Sequence, residues 1–262
     1  HAPFQPPQKH ADLFANRDID HRNYYAAVSS LDENLGRIVK TLEDEGILDN
    51  TLIIVSADHA GSFRPRPGSL RGMGMAFDEA ARIPMIMRWP EKLPQNVAWQ
   101  SAVSLVDLAP TILSATGINT KSRIMEIITG REGSPFHGRD LITEVSSGED
   151  NWPTPVFMQN VPEAAIDGSW FDERAMRTEK WKLVLRDFNA DPRVRNNALY
   201  DIENDPEEVT NLYSDKKYQE QLIKQLEIML ANAKNLDDKT AIKLASKELE
   251  IVSQENYEYK LY

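Results

Sequence analysis

The run Thr51-Leu-Ile-Ile-Val-Ser-Ala57 constrains this chain more than any other stretch. It is short, apolar and rich in β-branched residues, with Asp49-Asn50 before it and Gly61 after it. Such a segment is expected as a buried parallel strand. It runs into Asp58-His59, and open α/β sheets bind ligands at the carboxyl ends of their strands. A carboxylate beside an imidazole there reads as half of a metal site. The same dipeptide also reads as an Asp capping the next turn beside a solvent-facing His.

The neighbouring elements follow from periodicity and punctuation. His1-Ala-Pro-Phe-Gln-Pro-Pro7 is too proline-rich for regular structure and reads as a loop. From Asn23 to Glu45, Tyr25, Val28, Leu31, Leu35, Ile38, Val39 and Leu42 recur at helical spacing, and Gly46 closes the helix. Residues 60–76 form a loop rich in glycine, proline and arginine. Ile83–Trp89 reads as a second strand ended by Pro90, and Val103–Thr116 as a helix opened near Ser104 and stopped by Gly117. The expectation for residues 1–150 is therefore part of an α/β domain, a layered and mostly parallel sheet flanked by helices.

Residues 119–152 are polar, carry glycines and prolines, and lack periodicity, which places a boundary there. Beyond it, Val156–Gln159, Arg174–Thr178, Trp181–Asp187 and Ala198–Ile202 are short β-like stretches, spaced for a small antiparallel sheet. Tyr218–Ala233 carries Leu222, Ile223, Leu226, Met229 and Leu230 on one helical face, and the charged tail from Leu236 reads as a helix and a loose end. Residues 151–262 are thus expected as a C-terminal α+β subdomain, an antiparallel sheet with a packed helix, followed by a tail.

Bulk composition narrows the function classes. With 30 Lys+Arg against 41 Asp+Glu, the 262 residues carry a net charge of −11. That disfavours non-specific binding to nucleic acid or anionic membranes, so an anionic substrate needs a locally basic pocket. There is no cysteine, which excludes thiolate ligands and a cysteine nucleophile within these residues. No apolar run has the length of a membrane span, and no signal peptide is seen. Because the chain starts at His1 rather than Met, an upstream segment is expected.

Several blocks, in order, resemble the type I, formylglycine-dependent sulfatases of the alkaline phosphatase superfamily. His1-Ala-Pro-Phe4 resembles the family's His-x-Pro-Phe loop. Tyr24–Gly36 is similar to the helix preceding the metal strand. Asp49–His59 resembles the strand ending in two metal ligands, and Asp78–Pro90 the next strand and its approach. Val106–Leu113 and Phe136-His-Gly-Arg-Asp-Leu141 are similar to two further segments. Arg174–Thr178, Leu199-Tyr-Asp201, Asp205-Pro206 and Asn211-Leu212 resemble the C-terminal subdomain. The likeness covers the C-terminal part of such a protein only.

The resemblance implies hydrolysis of a sulfate ester, on a sulfated carbohydrate, polysaccharide or aryl sulfate. Asp58 and His59 become metal ligands, and His59 stands where many members have Asn. The implied ion is calcium, although imidazole suits zinc or manganese better than calcium, and magnesium stays open. His1 falls on the sulfate-contacting histidine, a hydrogen-bond donor or acid for the leaving oxygen; the alternative is a frayed terminus. Met73 occupies the usual lysine position, and Arg71 is the substitute sulfate-binding residue. Arg64, Arg66 and Arg71 also read as an ordinary solvated basic loop. The formylglycine motif, Cys/Ser-x-Pro-x-Arg, is absent, so the nucleophile and the other aspartate ligands are expected on an N-terminal part, and the isolated chain is expected to be inactive. Alternatives are a phosphonate or phosphate ester hydrolase of the same superfamily and a non-catalytic version of the fold. Proteins of this family are often exported.

Other polar and aromatic residues read as structural. His10 and His21 lie in surface-like sequence and are expected to be solvated. Asp107 reads as a helix cap. Trp152, Trp170 and Trp181 read as core of the small sheet, with stacking on sugar faces as the alternative.

Overall fold

The computed structural model describes residues 3–19, 21–61, 76–119, 136–148, 150, 155–160, 172–187 and 197–254. By internal contacts the chain forms two units, His1–Ile54 with Met87–Leu93, and Val55–Ile86 with Pro94–Tyr262.

In the first unit, α1 (Gln8–Phe14) packs on α2 (Arg22–Asp44). The pin between them is His10. Its Nε2 lies 2.9 Å from Glu33 Oε2 and its Nδ1 3.1 Å from Ser29 Oγ. His10 is therefore buried, against the expectation of a solvated side chain, because two polar partners on α2 satisfy both ring nitrogens. His21 is exposed, as expected, in the left-handed residue before α2. Gly46 ends the helix at φ +69°, and Ile47 N–H donates to Leu42 O. The amphipathic stripe is present, but it is open to solvent: Leu31 is 69% exposed and Ile38 58%, with Tyr25 and Val28 also exposed.

Strands β1 (Ile53–Ser56) and β2 (Met85–Arg88) form a two-stranded sheet. The sheet expected over residues 1–150 is reduced to this pair among the described residues. The expected burial of the Thr51–Ala57 run is also corrected: Ile53, Ile54, Val55 and Ser56 are each only half-buried, since no third strand covers them among the described residues. Within the first unit, the Arg88 guanidinium donates to Leu48 O and Asp49 Oδ1, both at 3.0 Å, fixing the 3-10 turn Leu48–Asn50 ahead of β1.

The second unit holds the larger core. Asp107 caps as expected: Ser104 N–H donates to its Oδ2 at 2.8 Å, in a capping box just ahead of α4 (Leu108–Ala115). It also accepts from Arg139, through the backbone N–H at 2.8 Å and the guanidinium at 3.0 Å, just before α5 (Leu141–Ser147). Gly138 lies so close to the Val106 carbonyl that any Cβ would collide with backbone, which explains the glycine in Phe136-His-Gly-Arg-Asp-Leu141.

Strands β3 (Val156–Asn160), β4 (Asp172–Arg177), β5 (Trp181–Asp187) and β6 (Ala198–Asp201) form an antiparallel sheet in that order, as the spacing predicted. The register pairs Met176 with Leu183 and Leu183 with Leu199, so these three share one face. Helices α6 (Gln219–Asn235) and α7 (Lys239–Val252) cover it with Leu222, Leu226, Met229 and Val252. Trp181 is half-buried against this core and meets the Tyr218 ring edge-on at 6.1 Å. Trp152 and Trp170 lie outside the described residues. The opposite face carries Ala175, Val184 and Ala198, against which Ala76 and Phe77 pack.

Leu226 is fully buried between sheet and helices. Leu226→Ala should cost about 2–5 kcal/mol in a denaturant titration. Asp238 caps α7 through Ala241 N–H at 3.0 Å and accepts from Arg174 Nε at 2.6 Å. Burial pulls its carboxyl upward, but the Arg174 and backbone hydrogen bonds outweigh that and hold it below its usual value. The unfolded chain then binds the extra proton first, so this contribution is present above the unfolded pKa of about 4 and is lost as pH falls. Between about pH 5 and pH 3, Asp238→Asn should lose less stability than the wild type.

Candidate functional site

Asp58 and His59 come directly after β1, in the second unit. The chain turns sharply there. His59 N–H donates to Asp58 Oδ1 at 2.9 Å, so the carboxylate caps its own turn. This hydrogen bond, helped by the imidazole nearby, holds the Asp58 carboxyl below the usual aspartate range and keeps it anionic. Asp58 is 86% exposed and His59 45%.

The ring of His59 has a defined orientation. Its Nδ1 lies 2.9 Å from Ala60 O. A carbonyl only accepts, so Nδ1 carries the proton and the Nε2 lone pair is left for a ligand, as in metal-binding histidines whose second nitrogen donates to a carbonyl. Nε2 and Asp58 Oδ2 are 3.5 Å apart. Two donors each about 2.0–2.5 Å from one ion are separated by comparable distances. The donor pair therefore fits a divalent cation, with one hard anionic oxygen and one neutral nitrogen. Among the described residues, no group of three or more His, Asp or Glu side chains is placed to hold a metal. His1, Arg64, Arg66, Arg71 and Met73 lie outside the described residues.

The backbone just past His59 is held by groups that sequence reading passed over. Ala60 N–H donates to Ala80 O at 2.8 Å, tying the turn to α3 (Asp78–Ala81). The segment entering α3 rests on the antiparallel sheet. Ala76 N–H donates to Glu173 Oε1 at 2.6 Å, and Ala76 O accepts from Lys182 Nζ at 2.8 Å. Asp78 N–H donates to Glu208 Oε2 at 2.7 Å. Lys182 also meets the Asp78 carboxylate, and its Nζ lies 2.6 Å from Glu208 Oε1. Burial pushes the Glu208 carboxyl above its usual range, with Lys182 and the Asp78 N–H pulling against it. The available signal is two cations, Lys182 and Arg186, flanking Val184 on one face of a strand whose other residues are apolar up to Asp187.

A model of the sulfatase family matches residues 1–118, and a model of the N-sulphoglucosamine sulphohydrolase C-terminal region matches residues 72–236. The chain belongs to the sulfatase family. The arylsulfatase of Chlamydomonas reinhardtii is 32% identical to it over 230 residues, covering 77% of this chain and 33% of that protein. The N-acetylglucosamine-6-O-sulfatase of Bacteroides thetaiotaomicron is 29% identical over 209 residues, 79% of this chain and 34% of that protein. This sulfatase-family chain thus spans about a third of the length of the curated relatives it matches. Among solved structures, a protein in complex with its substrate D-glucosamine-2-N,6-O-disulfate superposes with a TM-score of 0.67 at 22% identity, over 88% of this chain and 46% of that one. That likeness is one of fold.

The His59 tautomer is directly measurable. At pH 8, nitrogen NMR of the imidazole should show the proton on Nδ1, the nitrogen facing Ala60 O. A neutral ring protonated on Nε2 would contradict this orientation.

Proposed function

We propose that this chain forms the C-terminal part of a metal-dependent sulfuric ester hydrolase acting on a sulfated carbohydrate or aryl sulfate. The observation that carries the reading is the Asp58–His59 donor pair at the end of β1, in a chain that family models match from residue 1 to 236. In this reading residues 1–150 belong to the α/β catalytic domain, whose mostly parallel sheet is completed by strands outside this chain. Residues 151–262 form its C-terminal subdomain and tail. The open apolar stripe of α2 supports that reading, since so much exposed hydrophobic surface is costly unless covered.

Asp58 and His59 would hold one divalent cation, calcium first, with magnesium, manganese or zinc as alternatives distinguished by the imidazole. Bound there, such an ion offsets negative charge on the sulfate oxygens and on the attacking oxygen. Asp58 contributes a carboxylate kept anionic by its own backbone turn, and His59 a neutral nitrogen aimed by Ala60 O. Arg71 would bind the sulfate with a two-pronged guanidinium in place of the lysine that Met73 replaces. His1 would donate a hydrogen bond to a sulfate oxygen or protonate the leaving oxygen. The formylglycine nucleophile would come from the N-terminal part of the same protein, and the exported compartments are the setting in which such an enzyme meets sulfated polysaccharides.

The complete protein, assayed on paired 4-nitrophenyl sulfate and phosphate, should turn over the sulfate in a chelator-sensitive manner. Asp58→Asn and His59→Ala should each lower kcat/KM by about 100-fold or more. Faster turnover of the phosphate would favour a phosphate or phosphonate ester hydrolase, and no turnover of either a non-catalytic protein. The isolated 262 residues should hydrolyse neither.

A further inference from the structure

The hydrogen bonds that end at Ala60 begin on the far side of the second unit. We infer that Lys182 is a positioning residue for the Asp58–His59 turn, acting with Glu208 and Glu173 as a clamp on residues 76–81. This inference rests on the proposed role of Asp58 and His59, and its geometry does not.

Three features support the clamp. First, Lys182 is fully buried on β5, and its ammonium is matched by the Ala76 carbonyl, the Asp78 carboxylate and Glu208 Oε1. A buried ammonium is tolerated only with such complete pairing. Second, the clamp grips backbone as well as side chains. Ala76 N–H and Asp78 N–H donate to Glu173 and Glu208, and Ala76 O accepts from Lys182, so the segment is fixed in register before α3 begins. Glu208 reaches in from a left-handed backbone position, φ +55°. A non-glycine residue holds that conformation only where its surroundings enforce it. The enforcing turn is visible: Asp205 Oδ1 and Oδ2 accept from Val209 and Thr210 N–H, and Glu208 N–H donates to Asp205 O. Arg186 Nε holds Glu173 Oε2 at 2.7 Å from the neighbouring strand, so the second carboxylate is oriented too. Third, the clamped segment reaches the candidate site through backbone, with Ala80 O accepting from Ala60 N–H at 2.8 Å. Ala60 is also the residue whose carbonyl orients His59 Nδ1. Its amide and its carbonyl thus link the clamp to the imidazole in a single peptide step on either side.

Glu173, Lys182 and Arg186 belong to one face of the sheet, the face that meets Ala76 and Phe77. Ala175, Val184 and Ala198 between them are small enough to let the segment lie close. The charges therefore sit where they read the position of a backbone, at the ends of a small apolar seat.

The test uses the complete protein carrying Lys182→Met or Asp78→Asn, the second variant keeping the Asp78 N–H bond and serving if the first does not fold. Leu226→Ala, on the opposite face, is the stability control. Hydrogen exchange at the Ala60 amide should speed up about tenfold or more in Lys182→Met, less in Asp78→Asn, and little in Leu226→Ala. Calcium affinity and kcat on 4-nitrophenyl sulfate should fall about 10- to 100-fold in Lys182→Met, with KM nearly unchanged, as for groups that orient metal ligands from behind. Unchanged exchange at Ala60 in the folded variants overturns the clamp, whatever the activity. Faster exchange with unchanged calcium affinity and kcat overturns the positioning role. If the wild type has no sulfatase activity, the proposed function fails, while exchange at Ala60 and calcium affinity still decide this inference.

Discussion

The Lys182 ammonium is the contact on which the second unit's arrangement turns. An unpaired cation at that depth costs several kcal/mol, so its three oxygen partners must be delivered from separate parts of the chain. That requirement fixes where Asp78 and Ala76 lie on β5, and how the turn after β6 presents Glu208. Once those are set, α3 has a definite position, and Ala80 O reaches Ala60 just after the Asp58–His59 pair. Specific geometry at an exposed site is drawn from charge pairing at a buried one.

The antiparallel sheet does two jobs because both of its faces are covered. One face is a conventional apolar core with α6 and α7. The other is a small apolar seat flanked by ion pairs. The two faces differ because they hold different kinds of chain. Helices α6 and α7 need mainly apolar contact along their length, whereas Ala76-Phe77 is irregular chain leading into the first turn of α3, and its N–H and C=O groups, with the Asp78 N–H, need partners. Glu173, Lys182 and Glu208 supply them.

Much of this was readable in advance. The four strands of the C-terminal sheet came out of short β-rich runs separated by turn residues, and α2 and α6 out of helical spacing, because those signals are local. Asp58-His59 stands out because it follows an apolar, β-branched run, and the Asp107 cap because Asp107 precedes Pro110 near a helix start. The hidden features depend on distant partners. His10 is buried by Ser29 and Glu33 on another helix. Lys182 sits in Trp181-Lys-Leu-Val-Leu-Arg-Asp187, where charges on one side of a strand ordinarily mark a solvated face. The covering segment lies more than a hundred residues upstream, and no local pattern announces it. The Thr51–Ala57 run is less buried than its composition predicts for the converse reason: an apolar strand shows what it is suited to contact, and the contact itself must come from elsewhere.

That sequence distance also sets an order of assembly. Met176, Leu183, Leu199 and Leu226 come from neighbouring hairpins and a later helix, so their core closes over short loops. The Lys182 bond to Ala76 spans 106 residues, against 26 for its bond to Glu208. Closing the longer loop costs more chain entropy, and its return comes only when a finished sheet offers the buried carboxylates. Loop closure alone therefore favours the C-terminal sheet and its helices forming ahead of the Ala76–Lys182 contact that holds the segment behind the Asp58–His59 turn.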